Sequence, residues 1–309
     1  MILELSEKPS VVWMDGELVP WEEAKVHIMT HALHYGSAVF EGIRAYHHNG
    51  ELYIFRLKEH MKRLIDSAKI LDISAKYSVD QLCEATVRVL RENRFQTSVY
   101  IRPIIFVGAG GIGLDFSNNP VQTAIIALPF SKYFAKTGLR VHVSSWRRIP
   151  DSSLPPKAKA AANYVNSILA TREAKKAGYD EAILLDHHGY VSEGAGENLF
   201  LVKDGIISTP PITASILEGI TRNSIMTLCR DLGYRVVERM ISRTELYTAD
   251  ELFFTGTAAE VQPILEVDGR RIADGNPGRI TKQLMELYSR VVIGEEEKYR
   301  SWLTPVYSR

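Results

Sequence analysis

Three dipeptides limit the fold more than any other feature of this 309-residue chain. Asp15-Gly16, Asn49-Gly50 and Asp204-Gly205 each lie between short apolar runs, as in V-V-W-M-D-G-E-L-V. Two-residue loops of this composition take type I′ turns, which need positive φ at both positions and match the twist of the strands they join. Each predicts an antiparallel hairpin, the second of them within residues 43–55. A doubly wound sheet links parallel strands through helices and has no place for repeated hairpins. The expected fold is therefore mixed α and β, with helices set among largely antiparallel strands.

Periodicity supplies the rest. Leu57, Met61, Leu64, Ile65, Ala68 and Leu71 recur at helical spacing, and Leu82, Val89 and Leu90 mark a second helix over 79–92. Apolar strands follow near 99–107 and 121–128. The segment S-K-Y-F-A-K-T-G, 131–138, breaks the pattern and reads as an interdomain linker. That gives a small N-terminal domain, 1–130, and a larger C-terminal one, 139–309. Beyond the linker the spacing predicts a strand at 140–145, helices near 163–177 and 220–232, strands in E-A-I-L-L-D, N-L-F-L-V-K, 234–239, 251–255 and 261–267, and a closing helix near 278–291.

Composition narrows the function classes. With 45% hydrophobic and 24% charged residues, a sizeable core is expected and a disordered chain is not. Lys plus Arg equals Asp plus Glu at 37 each, so no global field recruits nucleic acid or an anionic membrane. No run approaches the roughly 20 apolar residues of a membrane span, and M-I-L-E-L-S-E-K-P lacks the basic start of a signal peptide. Cys83 and Cys229 sit in helix-like apolar patterns, which points to buried thiols in a reducing cytosol. The expectation is a soluble cytoplasmic protein.

Gly108, Gly110 and Gly113 spell G-x-G-x-x-G after an apolar strand, the mark of a dinucleotide-dependent oxidoreductase. That motif requires a helix opening on the glycines, with its amides on the pyrophosphate. Here L-D-F-S-N-N-P follows, with loop chemistry and a proline, and Pro103 sits in what would be the central strand. A close-approach loop is the better reading.

Two other segments carry chemistry. In P-P-K-A-K-A-A-A-N-Y, small residues beside Lys159 leave room for a flat ligand to reach the amine. A lysine in a dry pocket yields the free amine that attacks carbonyls. A surface lysine entering a helix is the ordinary explanation, and spacing does not exclude Lys157 as a competing candidate. In V-S-E-G-A-G-E-N-L-F, glycines bracket Glu193, an acid that can point into a cleft, with Glu197 able to do the same; a solvated turn is the ordinary alternative. The helix start after Gly219, with Ile220, Thr221 and Arg222 in its first turn, offers amides and a positive dipole end to a phosphate. F-F-T-G-T-A-A-E-V ends a strand in a small hydroxyl-bearing turn. His31 and His34, in H-A-L-H-Y-G, lack further ligands at matching spacing, which favours packing over a metal.

Taken in order, H-A-L-H-Y-G-S-A-V-F-E-G-I-R, E-H-M-K-R-L, Y-I-R-P, K-A-x-x-N-Y, S-E-G-A-G-E-N-L-F, the G-I-T-R helix start and G-T-A-A-E resemble the branched-chain amino acid aminotransferases. These belong to the class IV, fold type IV enzymes that use pyridoxal 5′-phosphate. The likeness runs from about Trp13 to Trp302.

The resemblance implies a two-domain architecture, a small α/β domain followed by a larger pseudo-barrel domain. It selects Lys159 over Lys157 as the Schiff-base lysine, Tyr164 as the partner of the cofactor's phenolic oxygen and Glu193 as the carboxylate facing its ring nitrogen. An anion there keeps that nitrogen protonated, and the protonated ring is the stronger electron sink. Phosphate and cofactor contacts fall to Arg63, Leu217, Ile220, Thr221, Gly256 and Thr257. Periodicity alone would leave Arg63 on a solvated helix face. Phe40, Gly42, Phe130, Tyr133 and Tyr164 are implied to line an apolar substrate pocket, with Phe130 in place of a tryptophan found in some relatives. Thr257 and Ala258 would hold the α-carboxylate, and Arg102 with Tyr100 the distal carboxylate of glutamate or 2-oxoglutarate. Tyr35 and Leu114 would be lent by a neighbouring subunit, making a homodimer the minimal active unit and a hexamer possible; the glycine loop would deliver Leu114. The implied reaction is reversible ping-pong transfer between leucine, isoleucine or valine and 2-oxoglutarate. A relaxed-specificity class IV transaminase, acting on D-amino acids or amines, is the alternative.

Overall fold

The computed structural model describes residues 8–130 and 136–308. The candidate Tyr133 and residues 131–135 of the expected linker thus lie outside the described residues. Contacts divide the chain into two compact units, one of Met1–Ser131, Ala158–Ala162 and Val291–Arg309, the other of Lys132–Lys157 and Asn163–Arg290. A single cut near 131–138 was the sequence expectation; the contacts also assign 158–162 and 291–309 to the first unit.

In the first unit, β1 (Val11–Met14) and β2 (Glu17–Pro20) form a hairpin on Asp15-Gly16. A short helix α1 (His31–Tyr35) and strand β3 (Ala38–Phe40) follow, neither of them expected. β4 (Ile43–His48) and β5 (Glu51–Phe55) make the second hairpin, with Asn49 at φ 50°. The helices α2 (Leu57–Ile70) and α3 (Val79–Asn93) come next, the second started by a Ser78–Gln81 capping box that satisfies two first-turn donors. β6 (Val99–Val107) and β7 (Val121–Pro129) pair along their full lengths. Leu57, Met61, Leu64 and Ala68 of α2, and Leu82, Val89 and Leu90 of α3, pack against Ile43, Leu52, Ile54 and Ile101 of the sheet. Each of the Leu, Ile, Val and Met side chains contributes about 1.5–3 kcal/mol of transfer free energy.

β6 is flanked by β7 on one side and by β3 and then β4 on the other. Register places Pro103 opposite the gap between those two strands, where Glu41 N–H donates to the Pro103 carbonyl at 2.9 Å. A residue without an N–H costs little where the ladder is already broken. Pro103 is thereby accommodated inside an antiparallel sheet.

In the second unit the strands are β8 (Leu139–Arg147), β9 (Glu181–Leu185), β10 (Val191–Gly194), β11 (Asn198–Lys203), β12 (Ile206–Thr209), β13 (Val236–Glu238), β14 (Glu251–Gly256), β15 (Glu260–Val267) and the short β16 (Arg270–Arg271). They pair in the order β10-β9-β8-β15-β14-β11-β12-β13, with β16 on β15. β8 runs parallel to both β9 and β15, and β12 parallel to β13; the other pairs are antiparallel. Asp204, at φ 49°, turns the third expected hairpin. Helices α4 (Tyr164–Lys176), α5 (Ile220–Asp231), α6 (Arg243–Leu246) and α7 (Arg279–Val292) complete the set, α7 ending where the first unit resumes.

The chain then returns to the first unit as β17 (Leu303–Pro305), antiparallel to β5. This completes an all-antiparallel sheet ordered β17-β5-β4-β6-β7-β1-β2, with β3 on β6. Cys229 is buried, whereas Cys83 is only partly so. Among the described residues no helix is long and apolar enough to cross a membrane.

Candidate active site

In the first unit, the segment 158–162 is built into the sheet. Ala158 and Ala160, each 2% exposed, enter its core, and Ala160 bridges Val39. Lys159 between them has its N–H on Ser67 Oγ of α2 at 3.0 Å and its carbonyl on the N–H of Phe40 at 3.0 Å. The small residues therefore have a packing reason: they let the backbone lie flush on β3. The Lys159 side chain is partly buried, its Nζ 5.3 Å from the centroid of the Phe40 ring. Lys157 is a surface residue, about half exposed, 3.6 Å from an equally exposed Glu218.

Phe40 is shared. The Arg102 guanidinium lies 4.5 Å from its centroid on the one hand, and Arg102 Nη2 donates to the Tyr100 hydroxyl at 2.9 Å on the other. Arg102 and Tyr100 alternate by two along β6 and so share a face. Tyr100 meets Phe130 at 5.6 Å between centroids. Gly42 is required by this arrangement, since a Cβ there would stand 2.1 Å from the Tyr100 hydroxyl. Phe40, Gly42, Tyr100, Arg102, Phe130 and Lys159 are thus gathered in one unit. Arg44, missed in the sequence, stacks between Tyr46 at 4.5 Å and Phe130 at 4.9 Å and fixes the latter from behind.

Arg63 is not on a solvated face. Its Nε and Nη2 donate to the two oxygens of Glu41 at 2.6 and 2.9 Å, and Glu41 is fully buried. His60 Nδ1 lies 2.7 Å from the same carboxylate. Burial alone would raise the Glu41 carboxyl pKa, but the charges and hydrogen bonds of Arg63 and His60 outweigh it and hold the carboxyl well below the usual range. Burial, opposed by Glu41, keeps the His60 ring below its usual pKa, which makes it a neutral donor to an ionised acid. Glu41 was not singled out, although an acid inside V-F-E-G-I is the signal that could have found it.

The glycine run makes no helix; β6 ends at Val107 and the chain passes through a loop before β7. Leu114 on that loop is 85% exposed and Tyr35 of α1 41% exposed. His31 ties them together: its ring reaches Ser37 Oγ and the Gly113 carbonyl, both at 2.7 Å, and packs 4.5 Å from the Tyr35 ring.

In the second unit Glu193 lies on β10, 5% exposed and not in a solvated turn. A register shift between Val191 and Glu193 re-aims its side chain. Its Oε2 accepts from Asn198 Nδ2 and from the Leu217 N–H, each at 3.1 Å. Arg148 Nε stands 2.6 Å from Oε1, yet its N–H is not aligned on that oxygen; the contact is an ion pair rather than a hydrogen bond. The guanidinium offsets part of the cost of burying the acid. Glu197 is also buried and accepts from the Gly196 N–H at 3.0 Å.

Asn198 also donates to the Leu217 carbonyl at 2.9 Å, and a Cβ on Gly219 would stand 1.9 Å from its Oδ1. Gly219 caps α5 without a side-chain hydrogen bond, so the first-turn N–H groups of Ile220 and Thr221 have no N-cap acceptor and suit donation to an anion. Arg222 is turned away, onto Pro210, Thr209 and Glu238. Gly256, Thr257 and Ala258 lie partly buried at the end of β14, and Tyr164 opens α4 behind Asn163, whose amide ties back to the Pro155 carbonyl at 2.9 Å. Arg148 and Asn198 are not evident from the sequence: nothing local marks W-R-R-I-P, and Asn198 follows Glu197 in S-E-G-A-G-E-N-L-F with no feature that sets it apart.

One unit thus holds a placed lysine amine beside an aromatic and an arginine, and the other a buried carboxylate beside an uncapped helix start. Residues 38–267 match the family Amino-transferase class IV. The chain belongs to the class IV aminotransferases and, within them, to the branched-chain amino acid aminotransferases. It is 46% identical to the branched-chain-amino-acid aminotransferase of Salmonella typhimurium over 308 residues, 98% of this chain and 99% of that one. Among solved structures it resembles the branched-chain aminotransferase of the archaeon Thermoproteus uzoniensis with norvaline, at TM-score 0.94 and 48% identity, covering 97% and 100% of the two chains. It is similar also to the branched-chain amino acid aminotransferase of Thermobaculum terrenum in its PLP form, at TM-score 0.94 and 42% identity, covering 98% and 100%. The fold is that of the fold type IV enzymes.

Proposed function

We propose that this protein is a pyridoxal-phosphate-dependent transaminase moving the amino group of branched-chain L-amino acids onto 2-oxoglutarate, in two successive half-reactions through one site. The observation that carries the reading is the setting of Lys159, anchored at both backbone groups and partly buried, while its neighbour Lys157 is at the surface.

The residues present suit the cofactor. An uncapped helix start with a glycine where a Cβ cannot fit, together with Ile220, Thr221, Leu217, Gly256 and Thr257, suits a phosphate group. In the first unit, Arg63, the outer member of its pair with Glu41, offers a charged donor to an anion. Glu193 suits a protonated ring nitrogen, and Tyr164 its phenolic oxygen. When bound, the cofactor supplies an electron sink for the charge left on the substrate Cα. With that group in place, Lys159 Nζ would take the proton from the substrate Cα as base and give it up again as acid. Phe40 and Phe130 bound an apolar side chain and exclude water from it, with Tyr133 assigned the same role. The Thr257-Ala258 turn binds the α-carboxylate. Arg102, pre-aimed by the Tyr100 hydroxyl, receives the second carboxylate of glutamate.

Exposed Val26, Ile28, Leu33, Tyr35, Ile112 and Leu114 support a homodimer in which Tyr35 and Leu114 complete the neighbour's site. The test is Lys159→Ala. It should abolish the visible absorbance of the bound cofactor and nearly all turnover of leucine with 2-oxoglutarate. A variant keeping both would end the assignment.

A further inference from the structure

Glu41 fills the gap between β3 and β4, with its backbone N–H on Pro103 and its side chain directed to α2. Both of its oxygens are engaged. Oε1 takes Arg63 Nε, and Oε2 takes Arg63 Nη2, His60 Nδ1 and, at 3.2 Å, the N–H of Gly42. A fork-to-fork pair of this kind fixes the plane of the guanidinium as well as its position, and so the directions of all its N–H donors.

The pair has a front and a back. The Arg63 side chain is 15% exposed while that of Glu41 is 0% exposed, so the arginine is the outer member and the acid its support. Stability alone does not explain it. A buried ion pair is on average no better than apolar residues of like volume, and Leu57, Met61 and Leu64 beside it on α2 show that this helix face otherwise packs as core.

The same two elements also place Lys159. His60, Arg63 and Ser67 follow at i, i+3 and i+7 along α2, hence on one face. Ser67 holds the Lys159 N–H, and Phe40, the residue before Glu41, holds the Lys159 carbonyl. The amine-bearing residue and the guanidinium are therefore referenced to one strand end and one helix face, with Glu41 as the brace between them.

We propose that Glu41 is a positioning residue that presents Arg63, in fixed orientation relative to Lys159, to the phosphate of the cofactor. The inference rests on the assignment of Arg63 to that phosphate, and the two can fail separately. Full-length apoprotein is titrated with pyridoxal 5′-phosphate and, separately, with pyridoxal, which offers the same carbonyl without the phosphate. The readout is the ratio of the two dissociation constants, which a general loosening of the fold does not move.

Arg63→Gln should lower the preference for the phosphorylated ligand by about 100-fold, the loss of a charge-assisted contact of about 3 kcal/mol. Glu41→Gln, with Arg63 intact, should lower it by about tenfold, at the lower end of what removal of an outer-shell partner costs at metal sites. A parental ratio in Glu41→Gln, beside a reduced one in Arg63→Gln, would overturn the positioning role. A parental ratio in Arg63→Gln would overturn the assignment beneath it. Glu41→Asp keeps the charge and shortens the reach, so it cannot span both guanidinium nitrogens. Should Glu41→Gln not fold, a reduced ratio in Glu41→Asp supports the proposal and a parental one refutes it.

Discussion

Among the described residues each unit holds a buried acid–arginine pair, and the two are wired in opposite senses. In the first, Glu41 is saturated and fully buried, and Arg63 is the member that reaches outward. In the second, Arg148 stands behind Glu193 at 2.6 Å without an aligned hydrogen bond, while Asn198 and the Leu217 N–H fix the carboxylate. One pair aims a cation and the other an anion. The same two residue types therefore carry different roles according to which member the neighbours hold, something residue identity alone does not reveal.

The sharpest way to break that contrast is to remove each arginine. Arg63→Met removes the counter-charge and two hydrogen bonds from a carboxylate with no exposure and should cost about 3–5 kcal/mol of stability, the usual penalty for breaking a buried pair. Arg148→Met should cost clearly less, because Arg63 gives Glu41 two aligned hydrogen bonds while Arg148 Nε gives Glu193 none. Urea unfolding of both variants measures it; equal losses would mean that the two acids are held alike.

A smaller effect separates the substrate face from both pairs. Arg102→Ala should raise KM for glutamate about tenfold or more, the worth of one charge-assisted contact, and change that for leucine little. Gly42→Ala should act in the same direction more weakly, since its new methyl displaces the Tyr100 hydroxyl that aims Arg102. Equal losses on both substrates would remove the second-carboxylate role from Arg102.

These expectations depend on contacts that the sequence reveals unevenly. The three hairpins, α2, α3, α5 and α7 were legible because turn chemistry and apolar spacing are local. β3 and β17 were not, being short strands made by pairing with β6 and β5. β17 also explains why the last residues belong to the first unit. Among site residues, Lys159 needed a family likeness to be preferred over Lys157, since the features that distinguish them, Ser67 and Phe40, lie far away in the chain. Arg63 looked solvated because its partner is 22 residues distant and on another element. Arg148 meets Glu193 only through the parallel β8–β9 pairing and the bulge in β10. Buried charges are paired across the fold, so their roles emerge with the topology.

A third carboxylate tests whether opposite charge or saturation holds such groups. Among the described residues Glu51 is paired with no arginine; it accepts the N–H groups of Leu52, Val306, Tyr307 and Ser308 at 2.7–3.0 Å, fastening the chain end beyond β17. Burial works against its ionised form, but these backbone donors prevail and lower the carboxyl from 4.5 to about 2. A carboxyl depressed in the folded state adds stability that is full above its unfolded value and disappears as pH falls through the folded one. The difference in melting temperature between the parent and Glu51→Gln should therefore be steady above about pH 5 and shrink between 4.5 and about 2. A difference that stayed constant over this range would show that the fastening owes nothing to the charge of Glu51.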